Sequence, residues 1–195
     1  MREVEKLDAG LEYSFYDDEV NARKVNAARL CAELNAIPQS DEDAIEKKLK
    51  ELFGKSGVSL WCGPNFQCDC GSNISVGSYF IANMNTTILD IAKVTIGDYC
   101  MIGPNTLIST VNHPLSPMKR RNHLAVAEPV TIGDDVWIGG NVTILPGVTI
   151  GNNVVVGGGS VVTKDIPDNS VAVGNPAKVI RTIEDDVPGR GTQKI

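Results

Sequence analysis

Residues 130–166 read VTIGDDVWIGGNVTILPGVTIGNNVVVGGGSVVTKDI. Within them Ile132, Ile138, Ile144, Ile150, Val156 and Val162 stand six apart without a break, and the fourth residue after each is Val136, Val142, Val148, Val154, Ser160 or Ile166. Neither the helical period nor the alternation of a simple strand produces a repeat of six. Gly133, Gly139, Gly151 and Gly157 follow four of the six aliphatics. Glycine there is expected to turn corners in positive φ, which it enters without steric cost. Three hexads, about 18 residues, would close one coil of a triangular parallel β-helix, with the aliphatic position pointing into a narrow prism and the branched residue packing beside it.

Working outward, Val76, Ala82 and Ile88 keep the spacing of six, as do Ile96, Ile102 and Ile108 after a shift of two residues. The pattern lapses from Ser109 to Pro129, a stretch with three prolines, the basic run Lys119-Arg120-Arg121 and both histidines of the chain, His113 and His123. This predicts an excursion at 109–129 where the coil throws out a loop, and long loops in compact domains are often functional. The first 57 residues are different material. Apolar residues from Asp17 to Ile37 recur at helical spacing up to Pro38, and a second apolar face, Ile45, Leu49, Leu52 and Phe53, follows Ser40 and ends at Gly54. Ser40 is expected to cap this second helix. The organisation expected is a helical hairpin in 1–57 covering the open end of the prism, a β-helix over 58–183, and a fraying polar tail over 184–195.

Composition bounds the rest. The chain has 195 residues, 42% hydrophobic but only 5% aromatic, which suits an interior too narrow for large rings. A net charge of -6 argues against a nucleic-acid surface. The charged amino terminus lacks the apolar run of a signal peptide and no stretch is long enough to span a membrane, so a cytoplasmic protein is expected. Five cysteines, at 31, 62, 68, 70 and 100, contain no CxxC pair, which argues against zinc. Cys68 and Cys70, two apart, would share one face of a strand; all five read as buried, inert thiols.

Several longer motifs carry a resemblance. They are Ala9-Gly10 through Tyr13 to Asp17-Asp18-Glu19, Ala82-Asn83-Met84-Asn85, His113-Pro114, VTIGDDVWIGG at 130–140, PGVTIG at 146–151, GSVVTKDIP at 159–167 and GNPAKVIR at 174–181. Nearly the whole chain resembles the maltose and galactoside O-acetyltransferases of the left-handed β-helix superfamily. The resemblance implies a left-handed coil, a homotrimer, and acetyl transfer from acetyl-CoA to a sugar hydroxyl, with no metal.

That reaction needs a base for the hydroxyl proton, and a neutral imidazole suits the task near neutral pH. His113, in the family motif and held toward extended backbone by Pro114, is the candidate; His123 matches no motif and reads as a solvated side chain. By the same resemblance Gly140, Gly158, Thr163, Lys164, Lys178 and Arg181 match coenzyme-contacting positions, and Asp17, Asp69 and Asn83 match acceptor-contacting ones. Trp137 could wall the coenzyme groove or pack at a subunit contact. Two departures blur the acceptor. Ile91 replaces an acidic residue of galactoside-type members, and Ala125 stands where maltose-type members often have glutamate. A non-sugar acceptor and a non-catalytic trimeric scaffold are the alternatives. A metal enzyme on the same scaffold, of the γ-class carbonic anhydrase kind, would need three histidines where the chain has two.

Overall fold

The computed structural model describes residues 1–184, so all but the first residue of the expected tail lies outside the described residues. Four elements lead in: α1 (Glu3–Asp8), β1 (Tyr13–Ser14), α2 (Asp18–Asn35) and α3 (Glu42–Leu52). The first coil is β2 (Lys55–Ser56), β3 (Leu60–Cys62) and β4 (Gln67–Cys68), and the second is β5 (Ile74–Val76), β6 (Phe80–Ala82) and β7 (Thr87–Leu89). The third is β8 (Val94–Ile96), β9 (Met101–Ile102) and β10 (Leu107–Ser109), after which the excursion forms β11 (Val111–Asn112), α4 (Pro117–Arg121) and β12 (Leu124–Ala127). Coiling resumes with β13 (Val130–Ile132), β14 (Trp137–Ile138) and β15 (Thr143–Ile144), then β16 (Thr149–Ile150), β17 (Val155–Val156) and β18 (Val161–Val162). A bridge at Ile166, then β19 (Ser170–Val173) and β20 (Lys178–Thr182), complete the described residues.

Every third strand stacks in parallel on its counterpart, which makes a triangular parallel β-helix. The first face is β2-β5-β8-β13-β16, the second β3-β6-β9-β14-β17-β19-β20 and the third β4-β7-β10-β15-β18, with β20 alone antiparallel. All six aliphatics of the hexad row are at most 1% exposed, and the companion row from Val136 to Ile166 is buried too. Ser160, the polar member of that row, is satisfied: its hydroxyl donates to the Gly157 carbonyl and accepts from the Gly174 amide.

The corner glycines act differently from the expectation. Positive φ falls two residues later, at Asp135, Asn141, Asn153 and Gly159. Gly133, Gly139 and Gly151 are instead positions of close stacking; a Cβ on Gly139 would lie 2.5 Å from the Gly158 amide nitrogen of the next coil. Asparagines tolerate the left-handed corner and also bond along it, Asn65 donating to Asn85 at 3.0 Å and Asn85 to Asn105 at 2.8 Å.

At the amino end Leu30, Leu34, Ile45 and Leu49 join the prism core, and Lys48 ties α3 to Glu33 of α2 at 2.8 Å. The second helix is capped by Asp41, whose carboxylate accepts from the Ala44 amide, and not by Ser40. The short helix α1 has no counterpart in the sequence reading, and β2 already begins the first coil at Lys55, ahead of the expected start at 58. Cys68 and Cys70 do not share a face, because β4 ends at Cys68; Cys70 packs in a separate cluster with Tyr13, Ile91 and Ala125 beneath the excursion. No described helix is long and apolar enough to cross a membrane.

Candidate active site

Coil length varies, and the site follows the variation. Cys68 pairs with Ile88 and Ile88 with Ile108, twenty residues per coil, whereas Ile144 pairs with Val162, eighteen. The two additional residues of each early coil lie at the corner between the third and first faces, and the excursion leaves from that same wide corner. The excursion is ordered. Its strand β11 pairs with β12, and β12 with β1, an antiparallel sheet that sets Tyr13 opposite Ala125. Helix α4 starts at Pro117 after Ser116, and the Arg120 guanidinium donates to the carbonyls of Pro114 (2.9 Å) and Leu115 (2.7 Å), fixing the turn after His113. Lys119 reaches Glu12 at 2.9 Å.

His113 directly follows β11 and stands exposed. Its Nδ1 lies 3.3 Å from the Leu124 carbonyl, which can only accept, so Nδ1 carries a hydrogen, and in the neutral tautomer that makes this bond the lone pair is on Nε2. The Phe15 ring meets the imidazole edge-on at 5.3 Å and restricts its rotation. Phe15 also meets His123 edge-on at 5.4 Å, and the Tyr16 ring lies 4.2 Å from that of His123. His123 is therefore part of an aromatic cluster beside His113, and the hexapeptide periodicity carries no signal for it.

Beneath this cluster the widened corner leaves backbone that no ladder satisfies, and buried polar side chains take it up. Asp90 Oδ1 accepts from the amides of Asp69 (3.0 Å) and Cys70 (2.8 Å), Asn73 donates to the Asp90 and Ile91 carbonyls, and the Thr110 hydroxyl accepts from the Ala92 amide. Asp90 is fully buried and its Oδ2 has no partner among the described residues. Burial pushes its carboxyl up to about 6. Burial also raises Asp69, against the opposing charge of Lys24, and lifts the Tyr13 phenol to about 12. A cavity of about 650 Å³ opens beside this corner, lined by Arg23, Ser72, Asn73, Ile91, Lys93 and Ala127 among others.

The expected site residues fall on two edges. His113 and Asp69 belong to the wide corner, Asp17 follows β1 beside it, and Thr163 and Lys164 are exposed at the same corner after β18. Asp17 is also the N-cap of α2, its carboxylate accepting from the amides of Glu19 and Val20. Asn83, Gly140 and Gly158 lie on the corner between the second and third faces, so the width of the third face separates them from His113 within one chain. Asn83 donates to the Ile102 carbonyl at 3.3 Å, a rung between coils. Gly140 and Gly158 stack, a Cβ on Gly158 falling 3.1 Å from the Gly140 carbonyl. Lys178 and Arg181 are exposed on β20, opposite Val173 and Val171 at the end of the second face. Trp137 is 43% exposed on the outer side of the second face, in register with Met101 and Val155. Among the described residues no three of His, Cys, Asp and Glu converge to hold a metal ion.

Comparisons with known proteins agree with this architecture. Residues 129–164 match the family model described as bacterial transferase hexapeptide (six repeats), and residues 6–57 match the maltose acetyltransferase hexapeptide capping motif. Galactoside O-acetyltransferase of Escherichia coli (strain K12) is 42% identical over 182 residues, 93% of this chain and 90% of that protein. The crystal structure of a maltose O-acetyltransferase from Clostridium difficile 630 superposes with a TM-score of 0.92 at 44% identity, covering 95% of this chain and 99% of the other. The hexapeptide-repeat acetyltransferase VCA0836 of Vibrio cholerae O1 biovar eltor, solved with acetyl coenzyme A, is 39% identical with a TM-score of 0.86, covering 95% of this chain and all of the other.

Proposed function

The chain belongs to the hexapeptide-repeat acetyltransferases of the maltose and galactoside type, and we propose that it transfers acetyl from acetyl-CoA directly to a hydroxyl of a sugar or sugar-like acceptor, with His113 as the base. The observation that carries this reading is the His113 ring itself, oriented by the Leu124 carbonyl through Nδ1 and braced by Phe15, which leaves Nε2 as the nitrogen free to meet a hydroxyl. In the step proposed, Nε2 takes the hydroxyl proton while the oxygen attacks the thioester carbonyl. The tetrahedral intermediate then expels the thiolate, which leaves with the proton held by the imidazolium. Acetyl ester and coenzyme A are the products, and His113 returns neutral. No thiol is needed as a carrier: four of the five cysteines are buried, and burial pushes Cys62 and Cys70 up to about 12, far from a nucleophilic thiolate.

Coenzyme binding is assigned to Gly140, Gly158, Thr163, Lys164, Lys178 and Arg181, the glycines giving a thin pantetheine arm close approach and the cations suiting phosphate. Acceptor binding is assigned to Asp69, Asn83 and Asp17. Because these residues occupy two edges of the prism, a complete site requires the edge of a neighbouring subunit, and a homotrimer supplies it. The outer row of the second face favours such burial: Trp61, Ile81, Met101 and Trp137 are in register there, with Tyr79 and Tyr99 stacked at 4.6 Å beside them, while the first face shows Ser75, Thr95, Thr131 and Thr149. A cytoplasmic setting, where acetyl-CoA is available and free thiols stay reduced, fits the same reading.

The test is release of free coenzyme A from acetyl-CoA with a panel of sugars. His113→Ala should lower turnover by about two to four orders of magnitude with little change in coenzyme affinity. Mixed assemblies of His113→Ala and Asn83→Ala chains should regain activity that neither has alone. Undiminished turnover in His113→Ala removes the base assignment, and mixtures no better than their parents remove the shared site.

A further inference from the structure

The transfer chemistry uses no thiol, yet two of the five cysteines meet. Cys31 on α2 and Cys68 at the end of β4 hold their Sγ atoms 3.6 Å apart, although 37 positions separate them in the chain. Both are free, and theirs is the one sulfur–sulfur contact among the described residues. Cys31 is completely buried; Cys68 is the half-buried member, so a small solute meets the pair at Cys68.

The contact is held in register by its neighbours. Asn35 stands four residues after Cys31, on the same side of α2, and Phe66 stands two residues before Cys68. The Asn35 side chain donates to the Phe66 carbonyl at 2.9 Å and accepts from the Phe66 amide at 3.0 Å, so it takes both backbone groups of that residue. β4 is the edge strand of the third face, and α2 packs against it. This clasp fixes helix against strand and leaves two facing thiols, with only the gap between 3.6 Å and an S–S bond of about 2.0 Å to close.

The other three thiols are differently placed. Burial pushes Cys62 and Cys70 up to about 12 and Cys100 up to about 11, and Cys100 already donates to the Gly133 carbonyl at 3.0 Å. In the pair, the hydrogen bond between the sulfurs lowers Cys31 from the ordinary thiol value and raises Cys68. One proton therefore leaves more readily than from an isolated buried thiol, while the other is retained between the sulfurs, and the thiolate is the species that reacts.

We propose that Cys31 and Cys68 form a peroxide-sensitive modification site, whose disulfide staples the helical cap to the first coil. With the retained proton on Cys31, the Cys68 thiolate attacks one oxygen of hydrogen peroxide. The O–O bond breaks, Cys68 becomes a sulfenic acid, and the departing hydroxide takes up the proton the pair released, forming water. The Cys31 thiol then gives up its proton and attacks the Cys68 sulfur; the S–S bond forms, the S–O bond breaks, and the second oxygen leaves as water. Two thiols lose two electrons and two protons, and one peroxide is reduced to two waters. A thiol reductant reverses the bond. The staple fastens α2 over an edge strand that would otherwise be open to pairing, and closing so long a loop constrains the unfolded chain, so the oxidised form is the more stable. The site stands whether or not the chain transfers acetyl.

The experiment treats the purified protein with hydrogen peroxide, unfolds it in the presence of iodoacetamide, and reads the intact mass and the linked peptides, with melting curves taken before and after. The oxidised wild type should label at three thiols, the five of the chain less the bonded two, and yield a Cys31–Cys68 peptide. Its melting temperature should rise by about 5 °C or more and return with dithiothreitol. Cys68→Ser should show neither the link nor the shift, and Cys31→Ser should match it; because Cys31 is in the core, the linked peptide of the wild type decides even where that second variant folds poorly. Five labelled thiols after peroxide, a bond mapped to another pair, or Cys68 carried to the sulfinic acid without a link overturns the site. A Cys31–Cys68 bond with no rise in melting temperature overturns the staple.

Discussion

From Val130 to Val162 the prism repeats every eighteen residues, and each side chain on the inner row is aliphatic; from Lys55 to Ser109 it repeats every twenty, and the added residues gather at one corner. In the regular stretch backbone amides and carbonyls are consumed by the coil above and below, so the interior needs only apolar volume. At the widened corner the ladder cannot reach every backbone group: buried Asp90 and Thr110 accept from amides, and half-buried Asn73 donates to two carbonyls. That corner also gives the excursion its point of departure and brings an imidazole beside an aromatic ring. Regular packing builds the rod; its interruption builds the corner that holds His113.

The contrast can be broken first at the coil. Gly103→Ala places a Cβ 2.5 Å from the backbone of Gly139 and Gly140, which cannot yield without parting two coils, and should cost more than about 4 kcal/mol, seen as loss of a cooperative unfolding transition. Ile144→Ala, in the inner row, should cost about 2–5 kcal/mol in denaturant titration, equally at pH 5 and pH 8, because it is fully buried between the aliphatic Ile108 and Val162 of the neighbouring coils. Asp90→Asn should behave in the opposite manner. The folded state holds the Asp90 carboxyl up at about 6, so the protonated form favours folding. Its contribution is complete below about pH 4, is lost as pH rises toward 6, and amounts to about 3 kcal/mol across that window. The stability difference between wild type and Asp90→Asn should therefore slope between pH 4 and 6 and level above; a flat difference removes the claim that this corner stores a charge penalty. Smallest is Asp17→Ala, which should cost about 1 kcal/mol through loss of the α2 cap. An accompanying rise in acceptor KM, with coenzyme KM unmoved, would establish a second role at that carboxylate, and an unmoved acceptor KM would leave it as a cap alone.

The coil was legible because a repeat of six aliphatics admits one compact solution, and the interval between Ile108 and Ile132 announced the excursion by the lapse of the pattern. The helical pair was legible from apolar spacing, although its second cap was misplaced by one residue, since Ser40 and Asp41 are both competent caps and only the backbone chooses. Glycine function was misread for a related reason: the turn and the close approach sit two residues apart, and sequence alone does not say which needs the missing Cβ. His113 stands out by its motif, whereas the contacts of Phe15 with both imidazoles, and of Tyr16 with His123, carry no such signal, because they depend on β1 pairing with β12, a contact between segments more than a hundred residues apart in the chain. Asp90 was invisible for the same reason, its partners lying one coil below.

One consequence of the last strand concerns what the molecule does not do. A stack of parallel strands is a template that invites its own continuation, and an uncapped end could accept another chain indefinitely. Here β20 folds back antiparallel on β19, so the outermost strand of the second face has the wrong polarity for a further coil, while α2 and α3 pack over the strands at the opposite end. Among the described residues, the second face thus ends in a strand, and the opposite end in helices, that differ from the repeat between them, which works against end-to-end growth into a fibre.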